Sequence, residues 1–207
     1  KIGEKYDIPI IEDAAESLGS TYFEEPLGSL TQFGIYSFNG NKIITTSSGG
    51  ALISSDERII NKAKFLASQA RDDKPYYEHS HIGYNYRLSN VCAAIGLGQL
   101  EVLQERVKRR REIFEFYKRE LLDINEISFV EEKEGMYSNR WITTILISKD
   151  SKVNNNHLRL YLEEDNIEAR PLWKPMHLQP IFNKCRFYGK EDSQYLFENG
   201  LCLPSGS

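Results

Sequence analysis

The chain has 207 residues, 40% of them hydrophobic and 12% aromatic, with 26 Lys and Arg against 30 Asp and Glu for a net charge of −4. That length supports a sizeable core, and the slightly acidic balance gives no global positive field for nucleic acid or an anionic membrane surface. No apolar run approaches the ~18 residues of a membrane span. The widely spaced Cys92, Cys185 and Cys202 offer neither a CxxC pair for zinc nor an even disulfide framework. A reduced, cytoplasmic protein without a metal centre is expected.

Taken in order, Lys1 to Tyr6 reads as the last turn of a helix, leading into a short apolar strand at Ile8-Pro9-Ile10-Ile11 suited to burial on both faces of a parallel sheet. A second strand is expected at Phe33 to Phe38. Ile43–Thr46 and Ala51–Ser54, flanking Ser47-Ser48-Gly49-Gly50, read as a hairpin. A helix should start near Ser55-Asp56, and residues 72–87 read as a long loop with no local partner, a length that usually marks function. Ser89 is placed to cap a long helix running to about Leu122. Within that helix Lys108-Arg109-Arg110-Arg111 reads as a solvated face, Glu105 standing four residues before Arg109, or else as a nucleic-acid or phosphate patch. A strand at Trp141–Ile147, a helix at Asn155–Glu164 and a Pro- and aromatic-rich loop at Arg170–Pro180 follow. The pattern is α/β, a central mostly parallel sheet flanked by helices with a smaller C-terminal α/β domain. Residues 1–115 form part of the large domain and 116–207 the small one. The start at Lys1 and the stop after Leu203-Pro204-Ser205-Gly206-Ser207 read as a C-terminal excerpt of a longer chain.

Two places carry candidate chemistry. Asp13 follows the first strand, where ligands bind beyond the carboxyl ends of parallel sheets, and strand alternation would put Ala15 on the same side. A ring could lie on the Ala15 methyl with its nitrogen facing Asp13; the alternative is an Asp that caps a helix. Lys42 lies just past the next strand, in Ser37-Phe38-Asn39-Gly40-Asn41-Lys42. It is either a surface lysine beside an Asn-Gly turn or a desolvated amine able to attack an aldehyde, with Ser37 and Asn39 supplying hydrogen bonds to a nearby anion.

Glu12-Asp13-Ala14-Ala15, Ser37-Phe38-Asn39-x-x-Lys42, Gly49-Gly50, Gly83-Tyr84-Asn85-Tyr86-Arg87-Leu88, Pro175-Met176-His177-Leu178-Gln179-Pro180 and Leu203-Pro204-Ser205-Gly206 occur in this order. Together they make the sequence resemble the DegT/DnrJ/EryC1/StrS family, fold-type I pyridoxal-phosphate enzymes acting on nucleotide-linked keto sugars. The resemblance implies that Lys42 carries the cofactor covalently, that Asp13 pairs with the ring nitrogen, that Ala15 packs on the ring and that Ser37 contacts the phosphate. Glu16 falls where relatives often have Gln or His near the ring hydroxyl. Asn85 would reach the phosphate of the neighbouring subunit in a homodimer with shared sites, and Trp173 and His177 would line the sugar pocket. The phosphate-gripping helix and ring-stacking aromatic of the family lie N-terminal to this region.

The implied reaction moves an amino group from L-glutamate to a keto carbon of a nucleotide-linked sugar. The Arg170–Pro180 loop resembles the subgroup acting on UDP-4-keto-6-deoxy-N-acetylglucosamine. Three rivals are weaker: a sugar dehydratase of the same fold puts His at the lysine position, a non-catalytic paralogue would not need both Asp13 and Lys42, and a nicotinamide-dependent enzyme needs a GxGxxG that is absent.

Overall fold

A computed structural model describes residues 2–207; the part of the first-helix expectation that falls on Lys1 lies outside the described residues. The elements run α1 (Ile2–Tyr6), β1 (Ile11–Asp13), β2 (Thr21–Tyr22), β3 (Glu25–Pro26), β4 (Phe33–Ser37), β5 (Gly50–Ile53), α2 (Glu57–Ala67), α3 (Asn90–Glu101) and α4 (Leu103–Glu120). There follow β6 (Ile127–Phe129), β7 (Met136–Tyr137), β8 (Thr143–Ile147), α5 (Asn155–Glu164), β9 (Arg170–Pro171), two 3₁₀ turns at Met176–Leu178 and Pro180–Phe182, α6 (Asp192–Asn199) and β10 (Gly200–Leu203). The chain divides into two compact units. The first ends at Lys108 and takes back Lys133–Trp141; the second holds Arg109–Glu132 and Ile142–Ser207. The division thus falls inside α4, before residue 115, and a later segment returns to the first unit.

In the first unit β4 is the middle strand, parallel to β1 and antiparallel to β5. The strand expected at Ile8–Ile11 begins only at Ile11 and is not covered on both faces, since Ile8, Ile10 and Ile11 are 59%, 45% and 63% exposed. Pro9 has no N–H to give a ladder, the Ile8 amide turns back to Gly3 O at 2.9 Å, and β1 has only β4 beside it among the described residues. The expected hairpin is also absent. Residues 43–46 form no strand, because Ile43 and Ile44 bury their side chains in the connection between β4 and β5. There Phe38 N donates to Gly49 O at 2.9 Å and Thr46 N to Phe38 O at 3.0 Å. Gly49 takes φ +93°, a conformation costly for other residues, to turn the chain into β5.

The Asp56 carboxylate accepts from Arg58 N and caps α2, and Ser89 Oγ accepts from Cys92 N at 3.2 Å to cap α3. The single long helix expected after Ser89 is broken at Val102, whose φ −105° and ψ 9° leave helical geometry just after Gly96 and Gly98 weaken the last turns. The long loop has a partner after all. Tyr84 N donates to Leu66 O at 2.7 Å, Gln69 N to Tyr84 O at 2.9 Å and Tyr86 N to Ala67 O at 3.0 Å, which pins residues 84–86 to the end of α2. Gly83 permits this approach, since a Cβ there would lie 2.3 Å from Ala70 N. Finally β7 adds to the β3–β2 ribbon, pairing Thr21 with Tyr137.

The second unit is an antiparallel sheet in the order β6-β8-β10-β9. Its core is Ile145, Ile147, Ala169, Leu201 and Leu203, with Tyr117 from α4, Ile127 and Phe129 from β6, and Leu158 and Leu162 from α5 packed against it. The alternate-residue burial of β8 follows from one face meeting that core. Asn154 caps α5 by accepting from His157 N at 2.9 Å. The basic run is partly structural: Lys108 and Arg109 face solvent, Arg109 pairing with Glu112 on the surface, while Arg111 grips Glu132 with both amino groups.

Candidate functional site

The parallel pair β1 and β4 brings Asp13 and Ser37 to the same edge of the sheet, each at the carboxyl end of its strand. The chain leaves β1 at once, so strand alternation does not extend to Ala15. Instead Asp13 Oδ1 accepts from Ala15 N at 3.2 Å, a tight turn that keeps Ala15 beside the carboxylate. Asp13 therefore caps no helix, and it stays exposed. Ala14, almost fully buried, donates its N–H to Ile35 O at 3.0 Å and fixes this turn on β4. Glu12 points elsewhere and accepts from Gly28 N at 2.5 Å and Leu30 N at 3.1 Å, holding the loop before β4. The Tyr36 hydroxyl donates to Leu27 O in the same loop; burial first, and the Glu12 charge second, push its pKa up.

Beyond β4, Ser37 Oγ accepts from Asn39 N at 3.3 Å and Asn39 O accepts from Lys42 N at 3.1 Å, so a compact turn delivers Lys42. The Lys42 side chain is only 12% exposed, and its Nζ lies 3.1 Å from Glu16 Oε1. On another side the Trp141 ring centroid is 4.4 Å from Nζ. Trp141 is itself buried, and its Nε1–H donates to Asn41 O at 2.6 Å. Trp141 was expected to open a strand; the strand starts at Thr143, and Trp141 belongs to the first unit. Asn139 holds the same loop, donating from Nδ2 to Glu16 O and Leu18 O, both at 2.9 Å. Neither Asn139 nor Trp141 stands out in the sequence, because the contact spans about half the chain and leaves no local spacing to read.

Asn85 is exposed and lines a cleft of about 770 Å³ with Lys64, Arg71, Tyr77 and Arg87, in the unit that also holds Lys42. In the second unit Trp173 is 59% exposed, and the His177 ring stacks on Phe187 with centroids 3.9 Å apart. An amine, a carboxylate at the end of a neighbouring strand, a hydroxyl and an amide on one turn form a donor set that fits pyridoxal phosphate. The amine suits its aldehyde, Asp13 its pyridine nitrogen, and Ser37 and Asn39 its phosphate. Among the described residues no group of His, Cys, Asp and Glu could hold a metal ion.

The sequence matches the DegT/DnrJ/EryC1/StrS aminotransferase family over residues 1–207. The chain belongs to that family. It is 52% identical over 99% of its length to the inferred pyridoxal phosphate-dependent aminotransferase EpsN of Bacillus subtilis, covering 53% of that protein. It is 34% identical over 86% of its length to the GDP-perosamine synthase of Vibrio cholerae, covering 48% of it. Among solved structures, the aminotransferase TlmJ from Streptoalloteichus hindustanus superposes with a TM-score of 0.89 at 25% identity, over 99% of this chain and 55% of that one. This DegT-family chain thus spans about half the length of the relatives it matches.

Proposed function

We propose that this DegT-family chain is the lysine-bearing part of a pyridoxal-phosphate-dependent aminotransferase that moves an amino group from L-glutamate to a keto carbon of a nucleotide-linked sugar. The observation that carries this reading is the sequestered amine of Lys42, set between Glu16 and Trp141 beyond strands that end in Asp13 and Ser37. When bound, the cofactor supplies an aldehyde for the amine and a protonatable ring that withdraws electrons from the carbon losing a proton. Asp13 holds the proton on the ring nitrogen, Ala15 sets the ring plane with its methyl, and Ser37 and Asn39 anchor the phosphate. Lys42 Nζ, once free, would act as general base and acid, moving a proton between the substrate carbon and the cofactor. Glu16 stands beside that amine and holds it in place.

Asn85 serves the partner copy of a homodimer, and Trp173 and His177 contact the sugar nucleotide. The Arg170–Pro180 loop favours UDP-4-keto-6-deoxy-N-acetylglucosamine, while the Vibrio relative is named for a GDP-linked sugar. Assaying UDP- and GDP-linked keto sugars side by side separates the two. The sequence pattern favours a large domain over residues 1–115 and a small one over 116–207, with Lys133–Trp141 packed in the first unit. Free Cys92, Cys185 and Cys202 suit the reducing cytoplasm, and among the described residues no helix is long and apolar enough to cross a membrane.

The deciding experiment uses the full-length protein. It should be yellow with bound cofactor, and borohydride reduction followed by peptide mass mapping should place the cofactor mass on Lys42. A label on a different lysine, or none, overturns the assignment.

A further inference from the structure

We propose that Trp141 is a positioning residue for the Lys42 amine, an inference that rests on reading Lys42 as the cofactor-bearing lysine. A lysine amine on four rotatable carbons samples many positions unless its surroundings select one. Here two groups do so. The Glu16 carboxylate oxygen lies 3.1 Å from Nζ, and the face of the Trp141 ring lies 4.4 Å from it. A carboxylate and the negative face of an indole ring both attract an ammonium, and the indole does so without offering a hydrogen-bond acceptor that would compete with Glu16.

The ring is not free to move aside. It is 6% exposed, and its Nε1–H is tied to the carbonyl of Asn41, the residue immediately before Lys42. The Trp141 N–H donates to Asn139 Oδ1 at 2.9 Å, and Asn139 Nδ2 donates to the backbone oxygen of Glu16. The contacts therefore close a circuit: Lys42 to Glu16, Glu16 to Asn139, Asn139 to Trp141, and Trp141 back to Asn41 and Lys42. Asn139 thus fixes the backbone of Glu16 relative to the Trp141 ring, and the carboxylate and the ring face converge on the amine from two sides. Trp141 acts by holding Lys42 there whenever the amine is not bonded elsewhere, so that it is in reach of the reacting carbon and shielded from water on the ring side.

The test uses the full-length protein, first stripped of cofactor. Trace acetylation at neutral pH, read by peptide mass spectrometry, gives the labelling rate of Lys42 relative to exposed Lys152 in the same sample. W141F keeps a ring face and loses the Nε1–H; W141L keeps an apolar but smaller side chain and loses the face. W141F should leave Lys42 within about twofold of wild type, and W141L should label it about fivefold faster, with Lys152 unchanged in both. In the loaded enzyme, W141L should lower kcat by about tenfold while KM for donor and sugar nucleotide stays within twofold, and W141F should restore most of kcat. Equal Lys42 labelling in wild type, W141F and W141L overturns the role of Trp141. A loss shared by both variants overturns the role of the ring face and leaves only the Nε1–H tie to Asn41. Borohydride mapping of the same variants keeps the two readings apart: cofactor mass away from Lys42 defeats the underlying assignment, whereas mass on Lys42 with unchanged labelling defeats only the positioning role.

Discussion

Asn139 donates its side-chain N–H to the backbone oxygen of Glu16, 123 residues earlier in the chain, at 2.9 Å. The same amide nitrogen reaches Leu18 O, and the amide oxygen accepts from Trp141 N. At 3% exposure Asn139 has no water to replace these partners. Asn139→Ala removes three hydrogen bonds and leaves buried polar groups unpaired, each costing about 1–3 kcal/mol. The variant should lose roughly 3 kcal/mol in total after local relaxation. A urea midpoint equal to that of the wild-type full-length protein would show that the segment returning to the first unit is not held this way.

Arg111 and Glu132 carry a comparable load in the second unit. Nη1 meets Oε1 at 2.5 Å and Nη2 meets Oε2 at 3.1 Å, with side chains 26% and 23% exposed. Two parallel charge-assisted bonds in a half-buried place are worth more than an exposed pair. Glu132→Ala should cost about 1–3 kcal/mol, and the loss should persist in 0.5 M salt added to the urea titration, about where surface pairs are screened away. A loss that vanishes in salt would class the pair with ordinary surface charges.

The cap at Ser89, the helix start near Asp56 and the strand opening at Phe33 were legible because each depends on residues within a few positions. The candidate motifs were legible for the same reason, since Asp13 with Ala15, and Ser37 with Asn39 and Lys42, are each one turn of chain. What failed was non-local. The apolar character of Ile43 and Ile44 looked like a strand because burial in an irregular connection and burial in a ladder select the same side chains. Trp141 looked like the first residue of a strand because nothing nearby announces that it turns toward Lys42. The partner of Tyr84 and Tyr86 is the end of a helix some twenty residues away, a pairing no periodicity encodes.

Asp72 gives the loop after α2 a defined pH response. Its Oδ2 accepts from Ser80 N at 2.8 Å and Ser80 Oγ at 2.7 Å, and the Ser80 hydroxyl bond first, with further help from the Ser80 amide and nearby His81 and His79, holds its carboxyl below the ordinary value. A carboxyl depressed on folding contributes order above its unfolded pKa of about 3.9, and that contribution fades as pH falls through the lower folded value. The Ser80 amide should be protected from hydrogen exchange at neutral pH and lose protection at acid pH, after correction for the intrinsic rate. Asp72→Ala should abolish protection at all pH values; undiminished protection in that variant would refute the tie.

Asp13→Asn separates the proposed role of Asp13 from its turn. Asn retains an Oδ1 acceptor for Ala15 N, so the fold should be unchanged within about 0.5 kcal/mol. An amide does not keep the pyridine nitrogen protonated, so turnover should fall by roughly a hundredfold or more while cofactor still binds. Amino transfer near the wild-type rate, with cofactor binding verified by absorbance, would leave Asp13 as the pivot of a tight turn only.

Asn85 is the residue whose proposed role depends on a second copy. Its backbone is pinned to the end of α2 and its side chain is exposed. If it serves the partner, each site draws Lys42 from one chain and Asn85 from the other. Lys42→Ala removes the amine, and Asn85→Asp sets a like charge against the phosphate, so each variant alone should be nearly inactive. In a mixed dimer of the two full-length variants, one site carries both changes and the other carries neither. Equal amounts mixing at random make about half the dimers mixed, so about a quarter of wild-type activity should return on coexpression, by the two-fold relation of the subunits. With both residues in one chain's site, every site would stay damaged at any mixing ratio. Subunit exchange is verified with two affinity tags, and amino transfer that stays at the level of the single variants in doubly tagged dimers would exclude the shared site.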